Sequence, residues 1–180
     1  PAHSPGNTYF KNIKEIKPGH YLIVKENEIQ EIKYWDLETK PCYESEEEII
    51  SNIHDLVVDS CKKDLEEKDN TKICSMLSGG LDSSILSKIA NDNIKNLTTF
   101  SLDYINNDTD FTSNSYQMTK DSDYVKIMQK YLNTNHKTIL IDNTDLFDLL
   151  TESMIARDMP GMADIDSSLF CFLNKINDDG

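Results

Sequence analysis

From residue 72 onward, apolar residues fall into short continuous runs separated by stretches of helical period. Lys72-Ile73-Cys74-Ser75-Met76-Leu77 predicts a strand over 72–78, and Ile85, Leu86, Ile89 and Ala90 predict a helix over 83–92. The alternation continues with strand 97–104, helix 121–134, strand 137–142, helix 144–157 and helix 165–177. Strands of this kind alternating with helices specify an α/β fold, a doubly wound parallel sheet joined by right-handed crossovers.

The first seventy residues read differently. Tyr21-Leu22-Ile23-Val24 and Ile29 to Trp35 form a β-hairpin pattern about a turn at Glu26-Asn27. A hairpin buries little core unaided, so residues 1–37 need a partner sheet. Residues 38–44, with Pro41, read as a linker. At Ser45-Glu46-Glu47-Glu48 a capping box opens a helix running to about Glu67, with Ile49, Ile53, Leu56, Val57, Cys61 and Leu65 at helical spacing. Residues 105–120 form a polar loop, readable as a lid or as an insertion.

Composition narrows the functional classes. Lysine and arginine total 18 against 32 acidic residues, a net charge of −14, which opposes a nucleic-acid surface. Glu44, Glu46, Glu47, Glu48, Glu66 and Glu67 are read along one exposed helix, and Asp178-Asp179 adds to the excess. No apolar run of membrane-spanning length occurs, so no membrane partner is expected. Cys42, Cys61, Cys74 and Cys171 lack metal-site spacing; the last three are read as small core residues in a reduced, cytoplasmic protein. His3, His20, His54 and His136 are scattered and predict no metal cluster. The start, Pro1-Ala2-His3-Ser4-Pro5-Gly6, reads as the interior of a longer polypeptide.

The candidate chemistry lies at Ser78-Gly79-Gly80-Leu81-Asp82-Ser83-Ser84, between the first strand of the sheet and its helix. Two glycines there let backbone N–H groups approach an anion, and the helix start adds unsatisfied donors and a positive dipole end. Ser78, Ser83 and Ser84 offer hydroxyls, and Asp82 stands where a carboxylate would hold Mg2+ against phosphates. The lysine of a Walker A loop is missing.

Leu77 to Ser84 resembles the pyrophosphate loop of the ATP pyrophosphatases (PP-loop, adenine-nucleotide alpha-hydrolase type), and within them glutamine-hydrolysing asparagine synthetase. Phe10 through Pro18-Gly19-His20, followed by Tyr34-Trp35, is similar to the end of that family's glutaminase domain. The resemblance implies three parts: residues 1–37 end a glutaminase domain, 38–44 link, and 45–180 begin the synthetase domain.

It further implies ATP and Mg2+ at Leu77, Ser78, Gly79, Gly80, Leu81, Ser83, Ser84, Ser101 and Leu102, with Asp82 as metal ligand and catalytic residue. Aspartate would attack the α-phosphorus, and ammonia released from glutamine by a glutaminase domain not present here would then displace AMP. Association as a homodimer is left open. Leu77 and Leu102 are read either as a wall for adenine or as plain buried leucines, and Asp103 as facing ribose or capping its loop. Residues 157–168 could meet the acceptor amino acid or the nucleotide, or Asp164 or Asp166 could cap the helix; the family's threonines and arginine are replaced here by acidic residues. A Ser-Gly-Glu-x-x-Asp-Glu motif and a later lysine are not found up to Gly180, so these residues alone are expected to bind ATP weakly and make no asparagine. A β-lactam synthetase or peptide cyclase, and a nucleotide sensor without catalysis, are the rival readings.

Overall fold

The computed structural model describes residues 4–26, 28–66, 72–113, 115, 119–159 and 161–178. Expectations that involve His3, Asn27, Glu67, Asp179, the middle of the 105–120 loop and the side chain of Asp164 lie outside the described residues. The chain divides into two compact units, 1–45 and 46–180.

In the first unit, β1 (His20–Lys25) pairs antiparallel with β2 (Glu28–Lys33), His20 opposite Lys33. The second strand stops before Tyr34-Trp35, because both N–H groups donate to the Gly19 carbonyl, at 2.9 and 3.2 Å. Gly19 has φ +68°, and a Cβ there would lie 2.2 Å from the Trp35 carbonyl oxygen, so only glycine fits this closure. Trp35 itself is exposed.

The second unit opens with α1 (Glu46–Glu66), whose glutamates at 46, 47, 48 and 66 are exposed; Glu44 precedes the helix rather than lying on it. Then follow β3 (Cys74–Met76), α2 (Leu81–Asn93), β4 (Thr98–Tyr104), a short α3 (Asn107–Asp110) inside the expected loop, α4 (Asp121–Leu132) and β5 (Asn135–Ile141). The three strands are parallel and lie in chain order, Met76 beside Phe100 and Phe100 beside Lys137. Among the described residues the order contains no reversal, the mark of a doubly wound sheet.

Strand alternation separates two faces. Phe100, Ile139 and Ile141 point one way and pack with Cys171 and Phe172 of α7 (Ala163–Asp178), forming the core with Leu102, Leu146, Leu149 and Ile176 around it. The other face presents Ser75, Thr99 and Ser101 toward α2, where Ser75 meets the buried Ser87 at 2.8 Å. Helices therefore cover both faces of the sheet.

Two further expectations need correction. The helix expected at 144–157 is two helices, α5 (Asn143–Asp148) and α6 (Leu150–Arg157), separated at Leu149 (φ −87°, ψ −1°). Asp142 caps α5 by accepting from the Thr144 N–H at 2.9 Å, and those bonds from Thr144 hold its carboxyl below the usual range. Cys74 is exposed and Cys61 half-buried, leaving only Cys171 as a core thiol among the three. Cys74 is exposed because β3 is three residues long and, among the described residues, pairs on one side only.

Candidate functional site

The site begins where β3 runs out. Leu77 donates its N–H to the Phe100 carbonyl at 2.7 Å and is wholly buried at 0% exposure, in line with a buried strand leucine. Gly79 then turns the chain with φ +83°, and Gly80 (φ −72°, ψ 164°) starts α2 with no side-chain cap. Gly80 offers the first-turn N–H groups of α2 no capping side chain, which suits them to an anion.

The serine hydroxyls shape the loop. Ser83 Oγ donates to the Gly80 carbonyl at 3.1 Å and accepts from the Ser78 N–H at 3.2 Å. With its proton so placed, Ser83 also accepts from Ser78 Oγ, 2.9 Å away. Ser84 Oγ donates to the same Gly80 carbonyl at 2.7 Å. All three hydroxyls brace the turn, and Gly80 donates its N–H to Ser78 Oγ at 3.4 Å, which leaves the first-turn amides of α2 as the donors suited to an anion.

Leu81 and Asp82 are exposed in the first turn of α2. Among the described residues no three acids, histidines or cysteines group as a metal centre. A single carboxylate beside phosphate oxygens is nonetheless how Mg2+ is commonly held, so Asp82 fits that ion.

Sequence reasoning missed the first turn of α4. A Cβ on Gly79 would lie 2.7 Å from the Asp121 carbonyl oxygen and 3.0 Å from Tyr124 Cβ. The amino ends of α2 and α4 therefore meet at this glycine. No local pattern marks that contact, because 42 residues separate Gly79 from Asp121 (121 − 79).

Ser101 is buried and Leu102 half-buried at the edge of the core cluster. The open choice at Asp103 resolves toward the loop: its Oδ1 accepts from the Tyr104 N–H at 2.9 Å and from Asn107 Nδ2 at 2.6 Å. Arg157, Asp166, Ser167 and Ser168 are similarly tied into the fold. Arg157 pairs with Asp166, and a Cβ on Gly161 would strike that pair, 1.8 Å from Asp166 Oδ2. Ser167 donates to the Ala163 carbonyl at 2.7 Å, and Ser168 Oγ lies 3.0 Å from the Tyr104 hydroxyl.

Beneath the loop lies a second feature the sequence did not single out. His136 of β5 contacts Thr99 through Nδ1 at 2.9 Å and Ser101 through Nε2 at 3.0 Å, and burial lowers its pKa. A cavity of about 920 Å3 lies against α1 and α2, among Ile53, Val57, Ile85, Ile89 and Met128, with Lys62, Lys88 and Ser84 also lining it. Its walls are mostly aliphatic and include no glycine turn, so the loop remains the candidate site for a phosphate.

A family model described as asparagine synthase matches residues 52–180. Among curated proteins, the chain is 34% identical to glutamine-hydrolysing asparagine synthetase 3 of Bacillus subtilis, over 99% of this chain and 30% of that protein. It is 25% identical to glutamine-hydrolysing asparagine synthetase 1 of the same organism, over 54% of this chain and 15% of that protein. It is also 38% identical to the amidase chyE of Penicillium rubens, over 47% of this chain and 13% of that protein. The chain thus spans less than a third of the length of these relatives. With the model covering residues 52–180 and the glycine loop inside that span, the chain belongs to the asparagine synthase family.

Proposed function

We propose that residues 45–180 are the ATP-binding part of a glutamine-dependent asparagine synthetase with a PP-loop fold, an AMP-forming amide ligase of the cytoplasm. In this reading residues 1–37 close a glutaminase domain and 38–44 link the two. The observation that carries the proposal is the glycine turn at the end of a parallel strand, feeding a helix whose first turn has no side-chain cap.

The ATP triphosphate lies over residues 78–84, its β- and γ-phosphates facing the amides of Leu81, Asp82 and Ser83. The aspartate carboxylate attacks the α-phosphorus, a new P–O bond forms, and the bond to the β-phosphate oxygen breaks. Pyrophosphate leaves with that electron pair, and the preorganised amides stabilise the charge it gains. Ammonia then adds to the activated carbonyl, AMP departs, and the nitrogen loses a proton to give the amide. Mg2+ held by Asp82 would neutralise phosphate charge. Leu77, just past β3, and Ser101 and Leu102 of β4 back the nucleotide.

The test is product identity. The full-length protein given ATP, Mg2+, aspartate and ammonia should release AMP and pyrophosphate in step with asparagine. Release of ADP and phosphate would exclude attack at the α-phosphorus. The likeness to a protein named an amidase favours a second reading, in which the same loop activates a different carboxylate. Pyrophosphate release with other acceptors and none with aspartate would select it. Residues 1–180 alone are expected to form no asparagine.

A further inference from the structure

Parallel strands covered on both faces are ordinarily Val/Ile/Leu-rich, yet the face toward α2 carries Ser75, Thr99 and Ser101 on adjacent strands. Thr99 is 0% exposed and Ser101 4%, so their hydroxyls need partners within the protein. His136 supplies them. Continuing the β3–β4 register by one residue places Ser101 beside Leu77, the residue that leads into the glycine loop.

Proton counting gives this network a direction. Ser101 Oγ donates to Thr138 Oγ1 at 3.2 Å, so it must accept from His136, and Nε2 carries the hydrogen. Nδ1 of the neutral ring is then a lone pair, and Thr99 donates to it at 2.9 Å. With its only proton used, Thr99 Oγ1 accepts from Thr134 Oγ1 at 2.7 Å. In the opposite tautomer Ser101, its one proton given to Thr138, could not serve Nε2, which would be left with Thr138 Oγ1 at the longer 3.4 Å. An imidazolium would point a donor at Thr99 and turn that hydroxyl's proton away.

We propose that His136 is a positioning residue of the nucleotide site: as the neutral Nε2–H tautomer it closes a one-way chain, Thr134 to Thr99 to His136 to Ser101 to Thr138, that fixes β4 against β5 and so sets the place of Ser101 next to Leu77. The inference rests on the nucleotide reading above. It assigns the Ser101 hydroxyl to the protein, so Ser101 serves ATP through its backbone and its place next to Leu77. His136 touches no substrate and acts through Ser101.

Two measurements on the full-length protein test this. Long-range proton–nitrogen NMR of the imidazoles should show His136 as a neutral Nε2–H ring at pH 7. A protonated ring or the Nδ1–H tautomer overturns the proposal. ATP·Mg2+ binding by calorimetry should weaken about five- to tenfold in His136→Ala, the equivalent of one hydrogen bond. His136→Gln, which presents an amide donor near the Nε2 position, should recover most of that loss. His136→Asn, whose amide reaches only the Nδ1 position, should not. Gln and Asn binding alike would overturn the role even if the alanine variant failed to fold. Equal binding by wild type and His136→Ala would do the same, whereas a wild type that binds no ATP·Mg2+ would overturn the nucleotide reading itself.

Discussion

Gly79 leaves no room for a side chain against Asp121: a methyl group there would sit 2.7 Å from the Asp121 carbonyl oxygen. The same glycine holds φ +83°, so two separate constraints, backbone angle and close approach, fall on one residue of the loop. The contact joins the amino ends of α2 and α4.

Gly79→Ala should therefore strain the turn and displace α4. A non-glycine residue in this backbone region costs about 1–3 kcal/mol, before the clash is counted. Urea unfolding should show that loss, and ATP·Mg2+ affinity should fall with it. A variant with wild-type stability and affinity would show the turn to be unimportant.

Ser83→Ala removes the acceptor for the Ser78 N–H and the donor to the Gly80 carbonyl. The expected cost is about 1 kcal/mol for a net hydrogen bond. It should appear as a lower urea midpoint at unchanged slope, because the loop loses its brace without a change in the surface exposed on unfolding.

Asp82→Asn keeps the shape of an exposed side chain and removes its charge. Nucleotide binding in EDTA should be unaltered, and the gain in affinity on adding Mg2+ should be lost. Calorimetric titrations with and without the ion check this; a Mg2+ response equal to wild type would place the ion elsewhere.

Burial lowers the pKa of His136 from 6.5. Below 6.5 the unfolded chain takes up a proton that the folded ring resists, so stability from this group is complete above that pH. It is lost as pH falls from there through the depressed folded value. The pH dependence of the urea midpoint between 7 and 5 should be shallower in His136→Gln than in wild type.

Phe172 is 5% exposed and packs with Phe100 and Ile141 where α7 meets the sheet. Phe172→Ala should cost about 3–5 kcal/mol, a large part of the stability of an ordinary domain. Thermal unfolding should register it, and the loss of the core cluster should be visible in near-UV circular dichroism.

The helices most faithful to their pattern were those with strong local signals. The apolar face at Ile85, Leu86, Ile89 and Ala90 gave α2, which extends to Leu81–Asn93, and the helix expected over 121–134 is α4, anchored by Val125 and Leu132. The split at Leu149 was hidden because residues 144–157 keep a helical rhythm through it. The misassigned cysteine, Cys74, lies in an apolar run, and such a run does not reveal that its strand lies at the edge of the described sheet.

Local chemistry was enough to mark residues 78–84: glycines, hydroxyls and a carboxylate at a helix start are short-range features, readable within seven residues. Tertiary structure alone decided what those residues face. The approach of α4 to Gly79 and the hydroxyl chain through His136 join positions about 35–42 apart in sequence, a separation at which no residue pattern encodes contact. Periodicity reports which side of an element is apolar; only the packed sheet determines which polar groups must satisfy one another.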